Sequence, residues 1–264
     1  MAQPPFLFDN LLIFSALVAT LLLGLGELGY RIGLHLFTVH DKARRSQIGG
    51  VQGAALALLG LLLGFTFSMG VDRFEIRRDL VLKEANAVGT TWLRAGLLPE
   101  AHRTPVKDLL RHYVDVRLKF ERLASDPALL AEGLGLSGKI ENELWQHAET
   151  AAREAATPIT ATFIVALNEM IDTDAERISA GRNRIPVLVV VLVILVAGFG
   201  CFTTSYGAGA VGARSAFANI ALPLLITAVI ALIFDITHPR QGFIGISQQP
   251  LLDLQQTMRM PLAK

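Results

Sequence analysis

Few residues in this chain combine the type and spacing that chemistry needs. Gly133-Leu-Gly-Leu-Ser-Gly138-Lys139 fits two phosphate-binding patterns at once, GxGxxG and GxxxxGK. Both use glycines to bring backbone N–H groups up to a phosphate at a helix N-terminus that follows a β-strand. No strand pattern precedes Gly133, and Ile140 stands where Ser or Thr would hold magnesium. The segment reads as a loop and a helix start. The six histidines, His35, His40, His102, His112, His147 and His238, are too scattered for a ligand set. His102 and His112 lie ten residues apart, and none sits in HExxH. They read as solvated side chains. Cys201 is alone in an apolar run, so it offers neither a disulfide nor a paired ligand. No GxSxG or kinase signature is present. No catalytic residue, metal site or cofactor is expected, and the chain does not read as an enzyme.

A second kind of pattern runs from Gly49 to Arg73. Gly49, Gly53, Ala57, Gly60, Gly64 and Ser68 recur at spacings of four and three, which puts them on one helix face. In a membrane, such a small face permits close helix packing. Ala57, Leu61 and Phe65 form an adjoining row, each one turn from the last. In a ring of subunits that row would line a narrow apolar neck, of the kind that gates a pore by dewetting. Asp72 and Arg73 follow at the mouth, placed either to act on passing ions or to pair with other helices. With Glu27 and Asp235 they also fit interfacial anchors, since a charge at mid-bilayer costs about 2.5–3.5 kcal/mol.

The elements that carry these rows follow from composition. Of 264 residues, 52% are hydrophobic and 18% charged, below the quarter or so of a soluble domain. That excludes a disordered, fibrous or acidic-tail protein. The net charge of +1 gives no basic excess for nucleic acid. Segment 72–184 holds 34 of the 47 charges. Outside it, four uncharged stretches, Asn10–Gly26, Ser46–Val71, Ile185–Ala213 and Ser215–Phe234, approach the 20 or so apolar residues that a bilayer requires. The first extends to Leu28. The third is expected to end near Thr203, because Tyr206–Gly212 reads as a glycine-rich turn.

The expected fold is all-α, a polytopic membrane protein with four transmembrane helices and a helical cytosolic insert between the second and third spans. A first hairpin fills 1–71, with spans at about 10–28 and 49–71. The insert is 72–184, a second hairpin fills 185–236, with spans at about 185–204 and 215–235, and 237–264 is a tail. The N-terminus lacks a positive n-region and a small-x-small cleavage site, so the first span reads as retained. Arg73, Arg77, Arg78, Lys83, Arg177, Arg182, Arg184 and Arg240 fall on the insert's side, against Arg31, Lys42, Arg44, Arg45 and Arg214 opposite. The positive-inside rule then makes the insert and both termini cytoplasmic.

Within the insert, Asp72–Leu97 continues the second span, with Glu75/Arg78 and Asp79/Lys83 spaced to pair. A rod from Gly50 to Arg94 would be roughly 67 Å long. A second helix is expected from Thr104-Pro105, then a connection at Leu130–Gly138, a third helix over Lys139–Ala155, and a fourth from Thr157-Pro158. The fourth leads into the third span through Arg182–Arg184.

Leu63-Gly-Phe65 followed by Arg73-Phe74 resembles the second-span pattern of bestrophins. The whole chain resembles the prokaryotic bestrophin-like membrane-protein family. The resemblance rests on Gly64–Glu75, Glu84–Thr91, Leu97–Glu100, Ala166–Asp172 and Arg184–Pro186, and on the ending from Asp235 through Pro239-Arg240 and Gly242-Phe243 to Ser247–Asp253. It implies a pentameric anion channel whose second span lines the pore, in a bacterial-type inner membrane. Ala57, Leu61 and Phe65 match the neck row, and a positive aromatic edge at Phe65 would touch a passing anion. Arg73 is followed by Phe-Glu where bestrophins pair aromatics, and the acidic calcium clasp of animal bestrophins has no counterpart, so calcium gating is not expected. The expected partners are the lipid bilayer and further copies of the chain, with no nucleic acid. The permeant ion is unread, with an anion favoured. The alternative is a membrane-anchored helical interaction or signalling protein without a conducting pore.

Overall fold

The computed structural model describes residues 10–36, 42–122, 126–183, 185–237 and 244–260. Among the described residues every regular element is helical, and four helical stretches are long and apolar enough to cross a membrane. Arg184 and Arg240, used above to orient the chain, lie outside the described residues, as do His40, His238 and the N-terminal residues 1–9. The chain divides into two compact units, Met1–Phe74 with Arg184–Ile244 and Glu75–Asn183 with Gly245–Lys264.

In the first unit, helix α1 (Leu11–Leu36) starts where Asn10 Oδ1 accepts from the Leu12 amide at 3.0 Å. It runs past the expected end at Leu28 because the Glu27 charge is answered. Arg31 Nε lies 2.8 Å from it, one turn on, and Arg214 lies 3.1 Å from it. Helix α2 (Lys42–Ala95) contributes its first part, Lys42–Phe74, to this unit. Helix α6 (Val187–Ala210) also outruns its expected end near Thr203. Most of the expected turn, Tyr206 to Ala210, is therefore helix, and its glycines serve close packing. A methyl on Gly209 would overlap the Tyr30 carbonyl, while methyls on Gly29 and Gly33 would overlap the Phe202 and Tyr206 carbonyls. The turn comes later, at Gly212, whose φ of 70° is left-handed. The fourth span opens with a π-turn, Phe217–Ala221, and continues as α7 (Leu222–Thr237). Pro223 has no N–H to give the Asn219 carbonyl, which fits a break in the α-ladder there. Phe14, Leu22, Leu59, Val193, Ala197, Ile226 and Phe234 form the unit's core. Where lipid is as apolar as leucine, close packing rather than water exclusion holds such helices together.

The second unit is an ordinary water-excluding core. It contains the Glu75–Ala95 part of α2, α3 (Glu100–Arg122), α4 (Pro127–Glu154), α5 (Pro158–Arg182) and α8 (Gln249–Arg259). Leu110, Leu144, Phe163, Leu167 and Met170 are completely buried, each worth about 1.5–3 kcal/mol. Helix α3 starts before the expected Thr104-Pro105. The Pro99 carbonyl accepts from His102 and Arg103 at 2.9 and 3.0 Å, so the first turn is set earlier and Pro105 falls inside the helix. Helix α4 starts at Pro127, capped by Asp126 Oδ1 on the Ala128 amide at 2.8 Å. The expected connection at Leu130–Gly138 is therefore helix interior. So is Gly133–Lys139, which removes the helix N-terminus that phosphate binding requires. Gly133 is there for packing, since a methyl would overlap the Phe120 ring. Thr157 caps α5 as its pairing with Pro158 predicts, its Oγ1 accepting from Thr160 N at 3.2 Å. Helix α5 stops at Arg182, and α6 restarts after Pro186, so the two are not continuous. The charges expected to pair along α2 turn elsewhere, Arg78 to Asp79 at 3.2 Å and Lys83 to Glu176 at 2.6 Å.

Candidate functional site

Helix α2 presents two different faces in the first unit. Ala55, Leu59, Thr66 and Gly70 are buried. On the other face, Ala57, Leu61 and Phe65 are exposed, Leu61 by 55% and Phe65 by 60%. Gly49, Gly53, Gly60, Gly64 and Ser68 are exposed beside them. A Cβ added to any of these four glycines would meet nothing within 4 Å. The small face thus has no neighbour within its own unit. Asp72 continues the exposed row one turn beyond Ser68, whereas Arg73 turns inward, with Nη1 enclosed and without a hydrogen-bond partner. The row and Asp72 are brought together; Arg73 is not part of it.

A site that the sequence reading missed lies in the second unit. Glu84 on α2 is completely buried. Its Oε1 accepts from the Tyr113 hydroxyl at 2.8 Å and lies 2.7 Å from Arg117 Nε, while Oε2 pairs with Arg177. Arg177 also reaches Glu121 Oε2 at 3.3 Å and Gln248 Oε1 at 2.8 Å. Arg117 Nη1 lies 2.7 Å from Asp174 Oδ1, an ion pair too far out of line to be a hydrogen bond. Glu141 Oε1 is enclosed without a partner. Burial works against the charge on Arg117, but Glu84 and then Tyr113 outweigh it and hold the guanidinium firmly protonated. Burial, and after it the Glu84 charge, push the Tyr113 hydroxyl well up, so it stays a donor. Burial and then the Asp174 charge push Glu141 up to about 8. The only sequence trace of this cluster is Glu84 itself, an acid set in the Val81–Ala85–Val88–Trp92 stripe.

The histidines are a partial correction. His102 is buried rather than solvated. Its Nε2 lies 3.0 Å from Glu154 Oε2, and its Nδ1 lies 3.3 Å from His147 Nδ1. One of the two Nδ1 atoms must donate to the other. Burial, and then the His102 ring, hold His147 below the usual histidine range. Among the described residues no group of three His, Cys, Asp or Glu side chains is placed to hold a metal.

The family model of the Bestrophin-like domain matches residues 21–251. No curated protein matches the chain. Among solved structures, a crystal structure described only as a membrane protein superposes with a TM-score of 0.62 at 15% identity, covering 92% of this chain and 97% of its own. A variant of a bacterial bestrophin homologue from Klebsiella pneumoniae gives 0.58 at 16%, covering 94% and 95%. Another structure of that homologue gives 0.56 at 16%, covering 95% and 100%. Identity this low speaks for the fold alone. The family match, however, begins in α1, runs through both units and ends in α8, so the open-faced span and the charge-bearing helical unit fall within one domain: the chain belongs to the Bestrophin-like family.

Proposed function

We propose that this membrane protein is a homo-oligomeric ion channel that conducts anions, with α2 of each copy around the pore. The observation that carries this reading is the open face of α2. Ala57, Leu61 and Phe65 stand exposed in a row that continues into a charged residue, Asp72. A face turned to lipid has no use for a carboxylate at its end or for a stripe of glycines, whereas a face turned to other copies has use for both. Leu61 and Phe65 would form the apolar neck, the glycines would let neighbouring α2 helices approach, and Asp72 would stand at the mouth. Arg73, turned inward, is left to a structural role. Family resemblance supports a pentamer and an anion, and the surplus of Lys and Arg beside segment 72–184 supports a cytoplasmic insert and termini in a bacterial inner membrane.

The test is chloride efflux from liposomes holding the purified protein, run beside Phe65→Ala. Efflux that depends on protein and rises when Phe65 is truncated is the expected result. Folded protein that passes no chloride at any pH or voltage tried sinks the channel. One observation favours the second reading, a membrane-anchored interaction protein. Leu93, Leu97 and Val165, in the polar second unit, are exposed by 69%, 61% and 63%, and apolar side chains so open suit a protein partner.

A further inference from the structure

The second unit brings together two imidazoles that the proposed channel does not use. His102 lies in the first turn of α3 and His147 on α4, 45 positions later in the chain. Their Nδ1 atoms stand 3.3 Å apart. The rings are not stacked, with centroids 5.6 Å apart and planes inclined by 74°. His102 is buried and its Nε2 lies 3.0 Å from Glu154 Oε2, whereas His147 is half-buried.

Each of these contacts has a chemical consequence. A carboxylate only accepts hydrogen bonds, so Glu154 puts the His102 proton on Nε2 and leaves a lone pair on Nδ1. That lone pair is turned towards His147. A carboxylate on the far nitrogen of a histidine is the arrangement that orients imidazole ligands around metals. The spacing agrees. Two imidazole nitrogens, each about 2.0–2.1 Å from a tetrahedral zinc ion, are about 3.3–3.4 Å from one another. The observed 3.3 Å is at the long end for a hydrogen bond, so the pair is held at a separation that suits an ion at least as well as a proton.

We propose that His102 and His147 form a binding site for a divalent transition ion of the zinc class, which clamps the start of α3 to α4. Imidazole nitrogen selects ions of this class over magnesium or calcium, which take oxygen. Binding moves the His147 proton from Nδ1 to Nε2 through water and needs a small swing of that half-buried ring. Both imidazoles stay neutral. Burial and the His102 ring, which hold His147 below the usual histidine range, favour that neutral form. Two tetrahedral positions remain for water or for Glu143, which precedes His147 by one turn on α4. Among the described residues no third ligand is already in place, so the ion exchanges with solvent and folding does not depend on it. The site is independent of whether the protein conducts ions.

The experiment uses the full chain in detergent, freed of metal with a chelator and titrated with zinc chloride in a calorimeter. One zinc per chain is expected, with a melting temperature that rises with zinc and not with magnesium. His147→Asn, a change at the half-buried ring, is expected to abolish that binding. Glu154→Ala, which keeps both imidazoles, is expected to weaken it about 10–100-fold. A wild type without saturable zinc binding overturns the proposal, and that result needs no variant to fold. Zinc held as tightly by both variants as by the wild type overturns it too, because the ion then sits elsewhere.

Discussion

Glu84 holds two arginines and a tyrosine at a point that water does not reach, and partners of this kind cost more to lose singly than together. Tyr113→Phe removes one donor at 2.8 Å from a buried carboxylate that keeps its guanidiniums, so the expected loss is about 1–3 kcal/mol of unfolding free energy. Glu84→Ala strands Arg117 and Arg177 without their shared counter-ion, and the expected loss is larger, about 3–5 kcal/mol. Denaturant unfolding of the purified protein measures both, and equal losses would contradict the shared role. His147 gives stability a pH dependence. Held below its usual range, it binds fewer protons folded than unfolded, so stability is complete above about 6.5 and falls as pH drops below that value. His147→Asn is expected to flatten this acid limb, read as the difference in melting temperature from wild type at two pH values on either side. None of these partnerships is legible in the sequence. Tyr113 and Arg177 lie 29 and 93 positions from Glu84, and Tyr113 reads only as one more apolar residue on a helical stripe.

At the scale of the element, the small face of α2 has no neighbour within its own unit, and other small residues do the close packing there. Small residues at spacings of three and four do mark the closest crossing in the first unit, but it is α1 against α6, through Gly29, Gly33 and Gly209. Glu27 hid the first helix, because a charge looks like a span's end until Arg31 and Arg214 are seen to answer it. Clustered glycine hid the second, because glycine breaks helices in water yet is common in membrane helices, where a neighbouring backbone replaces the missing side chain. The same bias turned the start of α4 into a loop, although Asp126-Pro127 carries an ordinary capping signal. Gly33→Leu is accordingly expected to force the Tyr206 backbone away and to abolish monodisperse protein or lower its melting temperature sharply, since overpacking costs about 1–3 kcal/mol even for smaller insertions. Gly64→Ala, with open space around it, is expected to leave the folding of a single chain untouched. Gel filtration and thermal melting of the two variants side by side separate these outcomes. A Gly33→Leu protein as stable as wild type would mean that the two helices do not cross as closely as described.

For the molecule as a whole, four spans were legible because a bilayer imposes a length that no other environment does, and the charge count placed a polar unit between the second and third. What the sequence left open is which side of α2 meets the rest of the chain, since both sides are apolar. The folded unit leaves Leu61 exposed among small neighbours and Leu195 on α6 exposed among large ones, and these two positions distinguish lipid from a second copy. Cys201 is the chain's single cysteine, so a Cys201→Ala background makes Leu61→Cys and Leu195→Cys clean targets for a short reagent that joins two thiols. If α2 surrounds an axis, Leu61→Cys joins efficiently into covalent dimers and Leu195→Cys, turned to lipid, does not. The amount left uncoupled then counts the copies. A two-fold pair or any even ring can couple completely, whereas an odd ring always leaves one copy without a partner. A pentamer therefore predicts that about a fifth of the chains stay monomeric on a denaturing gel at saturating reagent. Complete coupling would exclude the pentamer while keeping α2 at an interface. No coupling at Leu61, in protein that still assembles, would take α2 off the axis and the neck away from Leu61 and Phe65.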